Sequence, residues 1–401
     1  MKKWIWGLLG LVIVVGGWLV YSNSTSSKTK NENVTTSQNQ KSSSSKKKAT
    51  ASSKKEASTS SRKITTMASS KKIDKSTDTT LNGTLEAGLK PIDFSGTAVL
   101  IDNDKIVDSY TAGDANNDKK VKNTLTTTYE IDSLQKALTA GLVMNQINAG
   151  KLQFTDKLSK YIKDFPGGDQ ITIRQLLDMT SGLSMGDVTY KEANLSNSQL
   201  LKVVRKNVKF DANNIGTWNY QPVNFVILSE VIERVSGRSY EQLFNNTYVQ
   251  KLGLKETKFA YDKQATDRAT GYMISTDGTT SKQDPNEATV QSELGTGQVY
   301  MSVMDYYRII SELLTGNILG GQEKANQLFY STAPNSAKYY GGLYVGNVND
   351  RTANGYGYGF QDHIRISNDG KKALVIFSNE RHSGTKTLLN EVANLEAQLL
   401  N

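Results

Sequence analysis

Residues 22–80 are built almost wholly from Ser, Thr, Lys and Asn with hardly an aliphatic side chain, and this excludes them from any packed core. Such a segment cannot bury enough apolar surface to offset the entropy of ordering it. As a coil its ends stand ~45 Å apart, and fully stretched it reaches about 200 Å. It reads as a disordered linker, so a folded unit is expected only from residue 81 onward. Ahead of it, Trp4 to Tyr21 is an uncharged apolar run of 18 residues behind Lys2 and Lys3. That length just spans a bilayer, and the leading lysines favour a cytoplasmic amino end. Val20-Tyr21-Ser22 is a mediocre cleavage signal, so residues 1–21 read as an uncleaved membrane anchor that places the rest of the chain outside the cell.

Charge follows the same partition. The linker carries 13 Lys and Arg against 4 Asp and Glu, so the net charge of +9 belongs to the first 80 residues and residues 81–401 come out slightly acidic. A nucleic-acid footprint should lie on the folded surface, and nucleic acid is therefore not an expected partner. The lysines serve solubility, or attraction to an anionic wall polymer or lipid headgroups. The chain has no cysteine, which excludes disulfides and lipobox lipidation. Metal-ligand spacings, phosphate-binding glycine loops and repeats are missing too, so neither a metal nor a cofactor is expected.

Residues 81–401 alternate strand and helix signals. Gly96 to Ile101 and Lys105 to Tyr110 read as strands joined by the turn Asp102-Asn103-Asp104. Helices are expected at Ile171 to Met179, Ser196 to Lys206, Phe225 to Val235 and Val303 to Leu314, and a last one from about Lys386. His363 to Ser367 and Ala373 to Phe377 flank the turn Asn368-Asp369-Gly370. Hairpins at both ends with helices between predict an α/β (α+β) domain. Its antiparallel sheet is built from both ends and flanked by helices, with a mainly helical insert over about 153–290.

The chemistry gathers at Tyr129-Glu130-Ile131-Asp132-Ser133-Leu134-Gln135-Lys136. From Ser133 onward Leu134, Leu138, Leu142 and Ile147 recur at helical spacing, predicting a helix that ends near Ala149-Gly150. Residues three apart share a helix face, so the Ser133 hydroxyl and the Lys136 amine project together. A desolvated amine can accept a proton from a serine alcohol, and S-x-x-K is a signature of serine acyl transfer. The spacing alone also suits a solvated helix face.

Other stretches decide between those readings. Gly150-Lys151-Leu152, Ile171 to Leu183, Trp218-Asn219-Tyr220, Leu228 to Gly237, Leu252 to Thr257 and Gly295-Thr296-Gly297 follow in order. With the Ser133 run they make residues 90–400 resemble the serine β-lactamase and penicillin-binding-protein superfamily, in the branch of class C β-lactamases and D-alanyl-D-alanine carboxypeptidases. The resemblance implies that Ser133 is the acylated nucleophile, Lys136 its neighbouring base, and Tyr220 a phenol in the same proton network. It implies an oxyanion hole from the backbone N–H of Ser133 and that of Tyr356. Two departures stand out. The second motif, Tyr-x-Asn in the family, is Tyr220-Gln221-Pro222 here, and proline offers no side-chain amide. The third, Lys-Thr-Gly or His-x-Gly before Gly-Phe, falls on Ala353-Asn354-Gly355 ahead of Gly359-Phe360, with Arg351 two residues away as a substitute cation.

Without that Lys or His, the site is expected to lose its anchor for a substrate carboxylate. A D-alanyl ester on teichoic acid has no such carboxylate, and some superfamily members are teichoic-acid D-alanine esterases. That substrate leads; a D,D-carboxypeptidase on stem peptides and a catalytically silent wall-binding protein are the alternatives. A second serine motif, Gly182-Leu183-Ser184-Met185-Gly186, fits G-x-S-x-G, but no strand is expected before it. His363 and His382, the two histidines, read as structural rather than as members of a triad.

Overall fold

A computed structural model describes residues 82–188, 195–262, 268–331, 335–346, 349–383 and 387–399. The expected anchor and linker lie outside these residues, and among the described ones no helix is long and apolar enough to cross a membrane.

The centre is a seven-stranded antiparallel sheet. Its strands are β1 (Gly96–Asp102), β2 (Lys105–Ala112), β3 (Tyr339–Tyr340), β4 (Leu343–Val345), β5 (Asp350–Gly357), β6 (Phe360–Ser367) and β7 (Lys372–Ser378), in the spatial order β3-β4-β5-β6-β7-β1-β2. The first and last long strands are neighbours: Gly96 pairs with Ser378 and Asp102 with Lys372. The sheet is therefore closed by both ends of the domain, as the two hairpin signals predict. In the first hairpin Asn103 and Asp104 both take positive φ (50° and 62°), the turn conformation whose twist matches a two-residue connection.

Alternate residues of β1 and β7 enter two different cores. Val99, Ile101, Val375 and Phe377 face the main interior. Ala98, Leu100, Leu374 and Ile376 meet Leu85 and Leu89 of α1 (Thr84–Leu89) and Val392 and Leu395 of a C-terminal helix, Thr387–Leu399. Both faces are covered, which is why these strands read as continuous apolar runs. On the interior side lie α2 (Gln135–Asn148), α3 (Val223–Ser236) and α4 (Val303–Leu314). Helix α2 is buried nearly all round, wider than the single apolar face expected from Leu138 and Leu142. At Gly141 a Cβ would lie 2.3 Å from the Tyr248 hydroxyl and 2.6 Å from Leu313, so only glycine allows this approach.

Local signals account for the other helices. Thr172 and Ser196 each form a capping box, with Gln175 and Gln199, to start Ile173–Leu177 and Asn197–Asn207. Pro222 stands at the N-cap of α3, and Gly237, left-handed at φ 71°, ends it.

Candidate active site

Ser133, expected to open the α-helix, lies two residues ahead of it. Asp132–Leu134 forms a 3-10 turn that leads into α2 and lies outside the α-helix itself. The turn opens on Asp132, whose φ of 43° is left-handed and unfavourable for a residue with a Cβ. Surrounding packing holds it there. Tyr129, Ile131 and Leu134 are fully buried, and the Tyr306 hydroxyl donates to the Leu134 carbonyl at 3.1 Å. Gln135 and Thr139 tie α2 to Gly295-Thr296-Gly297 and Tyr240: the Gln298 N–H donates to Gln135 Oε1 at 2.7 Å and the Thr139 hydroxyl to the Gly295 carbonyl at 2.7 Å.

Within this frame the Lys136 amine donates to Ser133 Oγ at 2.7 Å, and Lys136 is 1% exposed. The Ser133 hydroxyl donates to Asp132 Oδ1 at 2.9 Å. Tyr220 completes the approach from the loop before α3, with Lys136 Nζ 5.3 Å from its ring centroid. Its ring meets Tyr339 edge-on at 6.0 Å, and Tyr339 meets Tyr344 at 4.8 Å. The Tyr220 loop is pinned through Asn219 N–H to the Met179 carbonyl and through Gln221 Oε1, which accepts from Met185 N–H. Ser133, Lys136 and Tyr220 are thus brought together from elements nearly ninety positions apart.

The third-motif strand is β5. Ala353, Gly355 and Gly357 face the Ser133 turn, so close that a Cβ on Gly355 would lie 2.3 Å from the Ile131 carbonyl oxygen and one on Gly357 would lie 1.8 Å from Asp132 Oδ2. The side chains of Asn354 and Tyr356 point to the other face. Asn354 Oδ1 contacts His363 Nδ1 at 2.5 Å, and the Tyr356 ring stands between His363 and Arg381. Those two residues therefore reach the site through their backbone. The two-residue turn at Tyr358-Gly359 makes Gly357 and Phe360 the closing hydrogen-bonded pair, which turns the N–H of Tyr356 away from β6. Pairing with β4 stops at Thr352, so among the described residues that N–H has no strand partner and is open as an oxyanion donor.

Arg351 is not brought to Ser133. It lies four residues from Gly355, about 13 Å along the strand, is 1% exposed, and its guanidinium covers the Tyr330 ring at 4.0 Å while donating to the Asp350 carbonyl. The reading of Arg351 as a substitute anchor is corrected accordingly. Ala353 is itself buried and offers no cation at the third-motif position.

Acidic groups were not singled out from the sequence, yet four surround the nucleophile. Glu130, Asp132, Glu293 and Asp362 all have pKa values raised, chiefly by burial, and at Glu130, Glu293 and Asp362 further by neighbouring carboxylates. Lys136 and Arg381 oppose the rise at Asp132, and the Tyr358 hydroxyl, which donates to Glu293 Oε1 at 2.6 Å, opposes it at Glu293. The available signal is a charged residue at 130 and again at 132, alternating with the apolar Tyr129, Ile131 and Leu134 of the core.

The alternative serine motif does not form an elbow. Against the expectation, Ser184 ends a strand, Ser181–Ser184, which pairs with Lys209–Ile215, but the described residues 185–188 after it form no helix. Burial pushes the His363 pKa down to about 3, so that imidazole stays neutral beside Asn354.

Comparison with known proteins agrees with this arrangement. The profile described as Beta-lactamase matches residues 84–398. A protein of Bacillus subtilis (strain 168), described as a penicillin-binding protein, PbpX, is 30% identical over 337 residues, covering 83% of this chain and 82% of that one. The teichoic acid D-alanine hydrolase of Staphylococcus aureus is 29% identical over 246 residues, covering 61% of this chain and 57% of that protein's length. Among solved structures, FmtA from Staphylococcus aureus superposes with a TM-score of 0.69 at 24% identity, over 79% of this chain and 88% of that one, a likeness of fold.

Proposed function

Since the chain belongs to the β-lactamase family of serine hydrolases, we propose that it releases D-alanine from teichoic acid esters through an acyl-Ser133 intermediate. Lys136 and Tyr220 serve the proton network, and the N–H groups of Ser133 and Tyr356 hold the oxyanion. Gly355 permits the close approach of the strand that carries Tyr356, and Asn354 holds His363 behind it. The domain partition proposed with this function is an anchor at 1–21, a tether at 22–80 and the hydrolase at 81–401, with a helical insert over about 153–290. The enzyme would work at the outer face of the cell membrane.

The observation that carries the substrate is electrostatic. Ala353 supplies no cation at the third-motif position, Arg351 stacks on Tyr330, and the carboxyl of Asp132 contacts the Ser133 hydroxyl, with Lys136 and Arg381 acting on it from either side. Such a site disfavours the terminal carboxylate of a D-alanyl-D-alanine peptide or a β-lactam and accepts an acyl group that bears an ammonium. The named activity of the Staphylococcus aureus relative is of this kind. A D,D-carboxypeptidase is the second reading, favoured by the likeness to a protein described as penicillin-binding.

The deciding assay is D-alanine release from D-alanylated lipoteichoic acid, beside a muropeptide ending in D-alanyl-D-alanine, with Ser133→Ala as control. Release from the first substrate alone is expected. Release from the peptide alone would replace the proposal with the second reading. Recovery of the chain in the membrane fraction, lost on deleting residues 1–21, checks the anchor.

A further inference from the structure

Arg381 is set apart from the other arginines of the folded domain. Among the described residues each of the others is tied to a protein oxygen, as Arg174 is to Asp178 and Arg365 to Asp350, or stands exposed, as Arg238 does. Arg381 is half-buried, and among the same residues its guanidinium has neither an ion pair nor a hydrogen bond; it lies against the Tyr356 ring, 5.2 Å from the centroid. We infer that Arg381 is a specificity-determining residue that holds a phosphodiester of the polyol alcohol to which the D-alanyl group is esterified. This deepens the esterase reading and rests on it.

The strand Glu380–His382 delivers the side chain. Successive residues of a strand alternate sides, so Glu380 and His382 turn to a small cavity beside Phe94 and Leu388 while Arg381 turns to β5. Parallel pairing with Tyr272–Ile274 fixes that register and keeps Glu380, the acid next to Arg381 in the chain, off the guanidinium. Tyr356 supplies the oxyanion N–H, so a cation on its ring stands beside the place where the ester carbonyl is held. Burial raises the Tyr356 pKa, and the phenol keeps its proton as a further donor. The charge of Arg381 also reaches Asp132 and favours its ionised form, but burial pushes Asp132 the other way, so that carboxyl is not a full counter-ion.

A guanidinium presents paired N–H groups that match two oxygens of a phosphate, and a ring beneath it fixes its plane. In a polyol phosphate the phosphodiester is carried on a carbon next to the one that bears the ester. A substrate whose carbonyl oxygen lies on the N–H groups of Ser133 and Tyr356 therefore carries its anion beyond the scissile bond. The terminal carboxylate of D-alanyl-D-alanine instead sits on the carbon attached to the leaving nitrogen, close to the scissile bond, where Ala353 offers no cation. Arg381 stands over the face of β5 opposite to Ala353, and so suits the outer anion rather than the inner one.

The test compares two synthetic esters, D-alanyl-glycerol and the same ester carrying a glycerol phosphodiester on the adjacent carbon, with the full-length chain in detergent, for the parent and Arg381→Gln. Short esters keep the attraction of a long polyanion to the lysines of residues 22–80 out of the comparison. The parent should prefer the phosphodiester by about tenfold or more in kcat/KM, chiefly through KM, and Arg381→Gln should abolish that preference. The ratio between the two esters is the readout, so an effect of the variant on the Ser133 turn cancels. A parent without the preference overturns the inference, as does a variant that keeps the preference while losing rate on both esters. If the parent cleaves neither ester and releases no D-alanine from lipoteichoic acid, the esterase reading fails, and fluorophosphonate labelling of Ser133 then decides the subsite. Glycerophosphoglycerol should slow labelling of the parent and not of Arg381→Gln; equal rates with and without it in the parent, or no labelling at all, overturn the inference as well.

Discussion

Replacing Gly355 by alanine tests whether the approach of β5 to the Ser133 turn sets the rate. The added Cβ would stand 2.3 Å from the Ile131 carbonyl oxygen and 3.2 Å from its carbon. Ordinary contact needs about 1 Å more, and both neighbours are backbone, so no rotamer change relieves the overlap. The strand and the turn must separate by roughly that distance. Overpacking of this kind costs ~1–3 kcal/mol, which for a domain of this size lowers the melting temperature by a few degrees. The catalytic cost is larger, because a displacement of about 1 Å between the oxyanion N–H of Tyr356 and Ser133 can slow the reaction ~100-fold. Fluorophosphonate labelling of Ser133 and thermal melting, measured in parallel, report the two effects. Gly186→Ala is the control, because nothing lies within 4 Å of a Cβ at that position and labelling should not change. Parental labelling and melting in Gly355→Ala would refute the close approach and with it the placement of the third motif at Ala353-Asn354-Gly355.

Other outcomes follow from the same geometry. Ser184→Ala should leave Ser133 labelling and D-alanine release intact; a collapse of both would reinstate the G-x-S-x-G serine. Asp132→Gly should raise the melting temperature, since it removes both a left-handed non-glycine residue and a buried carboxyl, relief of roughly 1 kcal/mol from the backbone alone; a lower melting temperature would show that the strain is only apparent. Burial raises the Glu233 pKa to about 7, so its contribution to stability is complete below the unfolded value of about 4.5 and is lost as pH rises through 7. Glu233 Oε1 accepts from both Asn197 and Tyr240 N–H, acceptors that a glutamine keeps. Glu233→Gln should therefore raise the melting temperature at pH 8 and leave it unchanged at pH 4, and an equal shift at both values would show that charge is not the cause.

Much of the fold is legible because its signals are local. The turn residues Asn103 and Asp104 announce the first hairpin, Thr172 and Ser196 with glutamines three positions later announce two helices, and Val303–Leu314 has the expected bounds. The pairing of Ser133 with Lys136 is legible for the same reason, since two positions one helical turn apart meet whatever surrounds them. The first turn of that helix is 3-10 where its spacing predicts α, because propensity does not register the constraint that packing imposes on Asp132.

What the sequence by itself determined is the chemistry available and its order along the chain: a serine hydroxyl, an amine, a phenol and a strand lacking its usual cation, all following a segment rich in Ser, Thr and Lys. Which of these groups meet was decided by tertiary structure. Arg351 is two residues from the third motif, yet a ring twenty-one positions earlier occupies its guanidinium. Neighbouring carboxylates raise the titration of Glu130, Glu293 and Asp362 only because the sheet, the Ser133 turn and the loop before Val299–Met301 converge on one buried point. The left-handed backbone at Asp132 persists for the same reason: many buried contacts together outweigh the strain at one residue, and no reading of neighbouring side chains along the chain contains that sum.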